Sequence, residues 1–345
     1  MRHTASFNGT GVSGHHSASR RRHRISVLSS ACVVICTILV VPRDCETATL
    51  QAEEEDYETE RRRLQGPALQ ATLLSGEAHP WLQGPRLRAS LADGGRIEIT
   101  QFSGDVVHAR TLDDASDSGT SLRLEAAELV GMQWTESRCE EDTCRRVAFR
   151  VAAAAPDDTE NTMPAHGRNR DTWLYRVEYA EMSGPGQDDW SNACSDEPGS
   201  ADMGLFVDGR WSADGAWHAG GYTFSCPRGA VAKCARSWGY KPWKTLASPE
   251  HGPVPLQALH AACTRAARAD YCGDGVSHTR EGILIGMSDR YGFNPHALRR
   301  GDIEAVFDES RAIRVHDWRL PDLAPACHSD RTAAAGTEGL IEVWH

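Results

Sequence analysis

The stretch PLQALHAACTRAARADY, residues 255–271, predicts a helix. Apolar and small side chains recur in it three and four positions apart, which is the spacing of one buried helix face. Pro255 suits the first turn, and Gly273 suits a position just after the helix. The buried face would consist of Leu256, Leu259, Cys263, Ala266 and Ala267. The sequence therefore predicts a helix, packed on one side, in the C-terminal half of the chain.

Short apolar alternations dominate the chain before this helix. They occupy residues 86–91, 96–102, 121–124, 128–134, 146–151, 173–179, 205–211 and 221–226. Such alternation is typical of half-buried strands, and Asp93, Gly94 and Gly95 suit a tight hairpin turn between the first two. Residues 152–171 mix an alanine run with Pro, Asp, Asn and Gly, which favours a surface loop. We therefore predict an α+β fold with a β-rich N-terminal half.

The N-terminal segment predicts export. Arginines at positions 20, 21, 22 and 24 precede residues 25–41, seventeen positions without a charge. A basic flank before a short apolar run is typical of a secretory signal, and seventeen residues are also just enough for an uncleaved membrane anchor. Positive charge before the run favours an outside location for the body of the chain. The protein is expected to be extracytoplasmic: secreted, periplasmic or anchored by residues 25–41.

These patterns divide the chain into six segments. They are a basic N-terminal region (1–24), the signal or anchor (25–41), a charged linker (42–63), a β-rich region (64–189), a C-terminal domain core (190–331) and a C-terminal tail (332–345).

The charge distribution excludes one class of partner. The formal net charge is −11, and the first 45 residues carry six arginines against one acidic residue, so the body is more acidic still. An acidic surface repels phosphate backbones, and no basic patch with interleaved aromatics follows the first segment. Nucleic acid is therefore not an expected partner. An unidentified envelope or extracellular partner is expected instead.

Eight of the eleven cysteines lie in the body of the chain: Cys139, Cys144, Cys194, Cys226, Cys234, Cys263, Cys272 and Cys327. An even set in an oxidising compartment predicts disulfides, and the chain contains no CxxC spacing of the kind that zinc sites use. Cys139 and Cys144 enclose a short polar turn and are the easiest local pair to join. On one helix, Cys263 and Cys272 would point to opposite sides and could not bond to each other. The helix should therefore be pinned by disulfides to two neighbours, with Cys194 and Cys327 among the expected partners.

A specific run of motifs follows the strands. It consists of Phe224-Ser225-Cys226, Lys233-Cys234, Trp238 to Trp243, His260 to Arg265, Arg268-Ala269-Asp270-Tyr271-Cys272-Gly273-Asp274-Gly275 and Ser277-His278-Thr279-Arg280. In these motifs the chain resembles the bacterial family named for Ala-Asp-Tyr-Cys, a domain of unknown function. The resemblance covers residues 190–331 well and residues 64–190 loosely. It implies an extracytoplasmic location and shared cysteines but no reaction.

The twelve residues after the helix allow a calcium hypothesis. Asp270, Asp274, Gly275, His278 and Glu281 fall at positions 1, 5, 6, 9 and 12 of a calcium-binding loop, and Asp270, Asp274 and Glu281 would supply carboxylate ligands. Cys272 at position 3 and the positive charge of Arg280 do not fit this pattern. The alternative is that Asp270 pairs with an arginine and that Gly273 to Gly275 form a helix-ending turn.

A hydrolase is the second alternative. His260 or His278, oriented by Asp270 or Asp274, would provide a general base. No nucleophile accompanies them, because the chain has no Gly-x-Ser-x-Gly or His-Glu-x-x-His motif and its cysteines are better explained as disulfides. We therefore assign no catalytic residue and no cofactor other than the calcium alternative.

The aromatic residues Trp238, Tyr240 and Trp243 surround Lys241 and could either bind a partner or pack in the core. Core packing is the preferred interpretation. Taken together, the sequence predicts a disulfide-stabilised binding or structural module of the bacterial cell envelope.

Overall fold

A computed structural model describes residues 82–112, 119–140, 143–158, 169–182, 189–195, 202–212, 214–280, 282–294, 302–328 and 339–345, with the backbone alone at 138–140, 143 and 328. The strands are β1 Gln83–Gly84, β2 Leu87–Ser90, β3 Arg96–Ser103, β4 Val106–Thr111, β5 Ser121–Glu125, β6 Gln133–Glu140, β7 Thr143–Pro156, β8 Trp173–Glu181, β9 Ser191–Asn192, β10 Leu205–Trp211, β11 Trp217–Ser225, β12 Thr245–Ser248, β13 Gly252–Pro255, β14 Gly286–Asp289, β15 Ile303–Phe307, β16 Ala312–Val315 and β17 Ile341–Trp344. The α-helices are α1 Ala230–Arg236 and α2 Leu256–Arg268, and 3-10 turns occupy Ala126–Leu129, Pro321–Leu323 and Ala326–His328.

The largest sheet has eight antiparallel strands in the order β5-β4-β3-β2-β6-β7-β8-β9. Its two central strands, β2 and β6, are joined by the single pair Ser90 and Gln133. The sheet therefore consists of two four-stranded groups that meet at a narrow contact.

A second sheet, with the order β1-β11-β10, packs against the first. Phe206 of β10 lies at the centre of the interface, with its ring stacked on Phe102 of β3 at 4.7 Å between centroids. Tyr175 contacts the same ring edge-on at 5.2 Å, and Phe224 lies 4.9 Å from it. Aromatic pairs at these separations are favourable beyond the apolar area that they bury. One aromatic core thus joins strands from before and after residue 190.

The helices connect this core to a third sheet. The far side of β10 packs against α1, where Leu205, Val207 and Trp211 meet Val231, Ala232 and Ala235. Helix α1 packs against α2, which in turn packs against the sheet β14-β17-β15-β16. The five residues predicted for the buried face of α2 are buried, but the expectation of a helix packed on one side is wrong, because His260, Ala261 and Thr264 on its other sides are buried as well.

The α+β prediction is confirmed: the fold is mostly β, with a helix held by a disulfide in the C-terminal half. Helix α2 nevertheless ends at Arg268 and not at Tyr271 as predicted, because Ala269 adopts a left-handed conformation with φ 52°. The loop predicted for 152–171 is wrong in its first part, since β7 continues to Pro156. Pairing with β8 outweighs the helix propensity of the alanine run.

Residues 341–344, predicted to belong to a C-terminal tail, form β17 in the interior of the third sheet, between β14 and β15. The other proposed segment boundaries stay predictions. Among the described residues, no helix is long and apolar enough to cross a membrane. Residues 25–41 lie outside the described ranges.

Candidate functional site

The end of helix α2 is built around Ala269. Its φ and ψ of 52° and 40° make it the one residue other than glycine with positive φ in the described part of the chain. This conformation costs an L-residue about 1–2 kcal/mol. Its backbone N–H donates to the carbonyl of Ala266, and its side chain is fully buried. Surrounding contacts must therefore hold the turn in place.

Asp270 supplies the first set of these contacts. Its carboxylate is fully buried and forms an ion pair with Arg265 at 2.5 Å. The same carboxylate accepts the backbone N–H of Gly273 at 3.0 Å and that of Gly275 at 3.2 Å. Burial raises the pKa of Asp270, whereas Arg265 and Arg268 oppose that shift. Asp270 thus ties the helix to the loop that follows it.

Gly273 is required for the same turn. It has φ 72°, and a Cβ atom at this position would lie 2.2 Å from the carbonyl oxygen of Ser310. Only glycine allows both the backbone conformation and this close approach.

Tyr271 enters a buried network of charges. Its hydroxyl donates to Oε1 of Glu304 at 2.9 Å and accepts the backbone N–H of Arg319 at 3.0 Å. The guanidinium of Arg319 pairs with both oxygens of Glu304, each at 2.9 Å. His345 adds a contact of 3.1 Å to Oε2 of Glu304. Burial alone would raise the pKa of Glu304, but Arg319, His345 and Tyr271 together hold it below its ordinary value.

Arg319 also closes the end of helix α2. Its Nη1 donates to the carbonyl of Ala267 at 3.0 Å and its Nη2 to that of Ala266 at 2.7 Å. The last carbonyls of a helix have no partner within the helix, and the helix dipole makes this end negative. The buried guanidinium of Arg319 therefore donates hydrogen bonds both to the last carbonyls of helix α2 and to the buried carboxylate of Glu304.

Cys272 forms a disulfide with Cys327, with 5.8 Å between their Cα atoms. Each residue of the Ala-Asp-Tyr-Cys turn thus has its own structural role: Ala269 ends the helix in a left-handed conformation, Asp270 forms an ion pair, Tyr271 contributes a buried hydroxyl and Cys272 forms a disulfide.

The chain also matches a family model that is named for the Ala-Asp-Tyr-Cys turn. Residues 126–321 match the family model described as the ADYC domain, which is more than half of the chain. The chain belongs to this family. Comparisons with curated proteins and with solved structures find no match. The ADYC domain as matched begins in the 3-10 turn before β6 and ends at the 3-10 turn after Arg319, so it contains Tyr271, Glu304 and Arg319 but not His345.

Two further disulfides stabilise the ADYC domain. Cys234 and Cys263 join α1 to α2, and both are fully buried. Cys194 and Cys226 join the loop after β9 to the end of β11. The expectation that Cys263 and Cys272 have different partners is confirmed, as is Cys327 as a partner. The expectation that Cys194 bonds to the helix is wrong, because β9 leads it to the end of β11 and not to α2.

The predicted local pair is described in part. The register of β6 and β7 places Cys139 opposite Cys144, and Cys144 is disulfide-bonded. The side chain of Cys139 lies outside the described atoms.

The predicted calcium ligands have different environments. Asp270 is buried on Arg265, and Asp274 is exposed, with its Oδ1 accepting the N–H of Val276 at 2.9 Å. Glu281 lies outside the described residues. Potential ligand atoms of Cys272, Asp274 and His278 lie within 4.8 Å of one another, but the Cys272 sulfur is in a disulfide and is not a thiolate. The calcium hypothesis stays a prediction, with Asp270 better explained as a structural ion pair.

The two histidines of the hydrolase alternative have separate environments. His260 is buried on α2, its Nε2 contacts the carbonyl of Val231 at 2.9 Å, and burial lowers its pKa to about 4. The Nδ1 of His278 donates to the carbonyl of Leu323 at 2.8 Å. Ligand atoms of His278 and Asp274 lie within 4.8 Å of each other, but in the described part of the chain neither imidazole forms a hydrogen bond to Asp270 or Asp274. The geometry favours structural roles for both histidines.

A serine and a histidine that the sequence did not single out lie together on the β10–β11 hairpin. The Nε2 of His218 is 3.1 Å from the hydroxyl of Ser212, which also contacts the carboxylate of Asp214. In a catalytic triad the carboxylate orients the histidine, whereas here it contacts the serine. The arrangement is that of a polar turn.

The preferred interpretation of the aromatic cluster is confirmed for two of its members. Trp238 and Tyr240 are fully buried, and Trp243 is partly buried. The hydroxyl of Tyr240 donates to the buried carboxylate of Asp289 at 3.1 Å.

The structural roles of Asp289, Glu304 and Arg319 were not predicted from the sequence. A signal existed for Glu304, since a lone carboxylate within the apolar run Ile303 to Phe307 requires a buried partner.

Proposed function

We propose that the chain is exported and acts outside the cytoplasmic membrane as a disulfide-stabilised binding or structural module of the bacterial cell envelope. The observation that carries this proposal is the covalent bond between Cys234 and Cys263 in the centre of the helical core. Disulfides persist in oxidising compartments and are rare in the cytosol. The basic and apolar segment ending at residue 41 provides the means of export.

The burial of the first three residues of the Ala-Asp-Tyr-Cys motif supports a structural role for these residues and does not support catalysis by them. Ala269, Asp270 and Tyr271 are at most 1% exposed. Side chains so deeply buried do not reach a substrate. Ligand contacts of the ADYC domain therefore belong on another surface.

A compartment reporter tests the proposal. Alkaline phosphatase, which requires oxidising surroundings, is fused after residue 63, and a matched fusion lacks residues 25–41. We expect activity from the first fusion alone. The full chain, isolated from cells with thiols blocked, is then mapped without reduction, and Cys234 and Cys263 should be recovered in one linked peptide pair. An inactive first fusion together with free thiols at both positions would reject export.

A further inference from the structure

A groove opens where the two halves of the large sheet meet. Because β2 and β6 share only the pair Ser90 and Gln133, the strands on either side leave a concavity of about 550 Å³. Its size lies within the range of small-molecule sites. Strands β2, β3 and β4 line one side of the groove, and β6 and β7 line the other.

Among the residues that the structure describes, the charged side chains that line the groove are three arginines: Arg88, Arg96 and Arg110. Glu98 lies beside them, with its carboxylate 2.7 Å from Arg88 and 3.0 Å from Arg110. The carboxylate of Glu98 on β3 thus holds the guanidinium groups of the two strands that flank it, β2 and β4. The side chains of Arg88 and Arg110 remain 54% and 34% exposed, so both reach solvent. In a chain with a net charge of −11, this is a locally positive surface.

The groove lies on the solvent-facing side of the large sheet. Arg88 and Ser90 are exposed on β2, and Ser90 pairs with Gln133 of β6. Trp134 follows Gln133, so its side chain lies on the opposite face, in the core, where it stacks on Phe149 at 5.2 Å. Contacts to a ligand therefore come from the arginines and from the neutral polar side chains.

The remaining polar lining is neutral. It consists of Ser90, Thr111, Gln133 and Thr135. Guanidinium groups supply only donors, and hydroxyls and amides can both donate and accept. The complementary ligand carries an anionic group and several hydroxyls.

We propose that this groove binds an acidic carbohydrate, a sugar that carries a carboxylate or a phosphate group. Arg88 and Arg110 contact the anionic group, the neutral polar side chains contact the hydroxyls, and Glu98 is a positioning residue for the two arginines. The inference deepens the binding role proposed above and rests on it. Its test uses purified protein, so that a failure of binding and a failure of export are separate results.

Calorimetric titration of the full chain with intact disulfides tests the ligand class. The probes are trigalacturonate, glucose 6-phosphate, inorganic phosphate and neutral maltotriose. We expect one of the two acidic sugars to bind, with an affinity that falls as salt rises, and which one binds identifies the anionic group. Maltotriose should not bind. Absence of binding by both acidic sugars, or equal affinity for inorganic phosphate, would overturn the proposal.

Variants test the location. Arg88→Gln and Arg110→Gln should each weaken binding about tenfold or more, because each removes a charge-assisted contact. The control is Arg123→Gln, an exposed position on β5 outside the groove with the same change of charge, which should bind as the parent chain does. Thermal unfolding verifies that each variant is folded. Equal losses in Arg123→Gln and Arg88→Gln would show a nonspecific charge effect and refute the site.

Discussion

Two buried tyrosines offer a sharp test of the network that holds the ADYC turn. Tyr271 is 1% exposed and Tyr175 is 2% exposed, so replacement by phenylalanine removes a buried hydroxyl in both cases. The hydroxyl of Tyr271 has two partners, Glu304 and the backbone of Arg319. That of Tyr175 has no hydrogen-bond partner among the described residues. The two substitutions are therefore chemically identical and differ in the contacts that they remove.

The expected free energies of unfolding differ accordingly. A hydrogen bond to a charged group contributes about 1.5–3 kcal/mol, and a buried donor left without an acceptor costs about 1–3 kcal/mol. Because the two contributions overlap, Tyr271→Phe should lower the free energy of unfolding by about 2–4 kcal/mol. Tyr175→Phe removes a hydroxyl that is buried at a cost, so it should leave stability unchanged or raise it by about 1 kcal/mol.

Urea unfolding of the oxidised chain, followed by far-UV circular dichroism, measures both values. The slopes against urea must agree between variants for the comparison to be valid. A double-mutant cycle with Glu304→Gln should give a coupling energy of at least about 1 kcal/mol with Tyr271→Phe and none with Tyr175→Phe. Equal destabilisation by the two tyrosine variants, or no coupling to Glu304, would refute the structural role assigned to this network.

Three other predictions follow from the buried groups. Replacing both Cys234 and Cys263 by serine should lower the free energy of unfolding by about 3–4 kcal/mol, the loop-closure value for their separation of 29 residues, and an unchanged urea midpoint would contradict it. Burial lowers the pKa of His260 from 6.5 to about 4, so as the pH falls this histidine is protonated in the unfolded chain before it is protonated in the folded chain. The free energy of unfolding should therefore decrease by up to about 3 kcal/mol between pH 6.5 and pH 4. Urea unfolding between pH 7 and pH 4 should show a shallower slope against pH in His260→Gln, and parallel curves would exclude this histidine as the cause. The folded pKa of Glu304 is also lowered, so Glu304→Gln should flatten the further loss of stability below about pH 4.5, measured by acid titration of the folded signal.

Local patterns were sufficient for the start of helix α2 and for seven of the strands. The strand predicted at 128–134 is wrong over most of its length, which lies in the 3-10 turn Ala126–Leu129 and the turn after it, and β4 and the strands of the third sheet were not predicted. Pro255 directly precedes the helix, and the spacing from Leu256 to Ala267 corresponds to its buried face. The end of the helix could not be predicted in this way. Sequence rules reserve the left-handed conformation for glycine, whereas here Ala269 adopts it because Asp270 and Tyr271 are fixed by partners on either side.

Partners distant in sequence explain the rest. Tyr271 and Glu304 are 33 residues apart, and no periodicity connects them. Cys263 and Cys272 have different partners as predicted, but not for the predicted reason, because helix α2 ends at Arg268, before Cys272. The choice of Cys226 for Cys194 depends on which strand ends lie side by side. The groove was missed for the same reason, since Ser90 and Gln133 become neighbours only through the pairing of β2 with β6.

The position of β17 has a consequence for the order of folding. Of the four strands in its sheet, β17 is synthesised last, yet it hydrogen-bonds to both β14 and β15. Until it emerges, β14 has no neighbour in that sheet, and the surface on which α2 packs is incomplete. When the chain is synthesised or translocated from its N-terminus, this core can therefore close only after β17 has emerged. Strand β17 must then insert between β14 and β15, which are already present, and cannot simply add to the edge of a finished sheet.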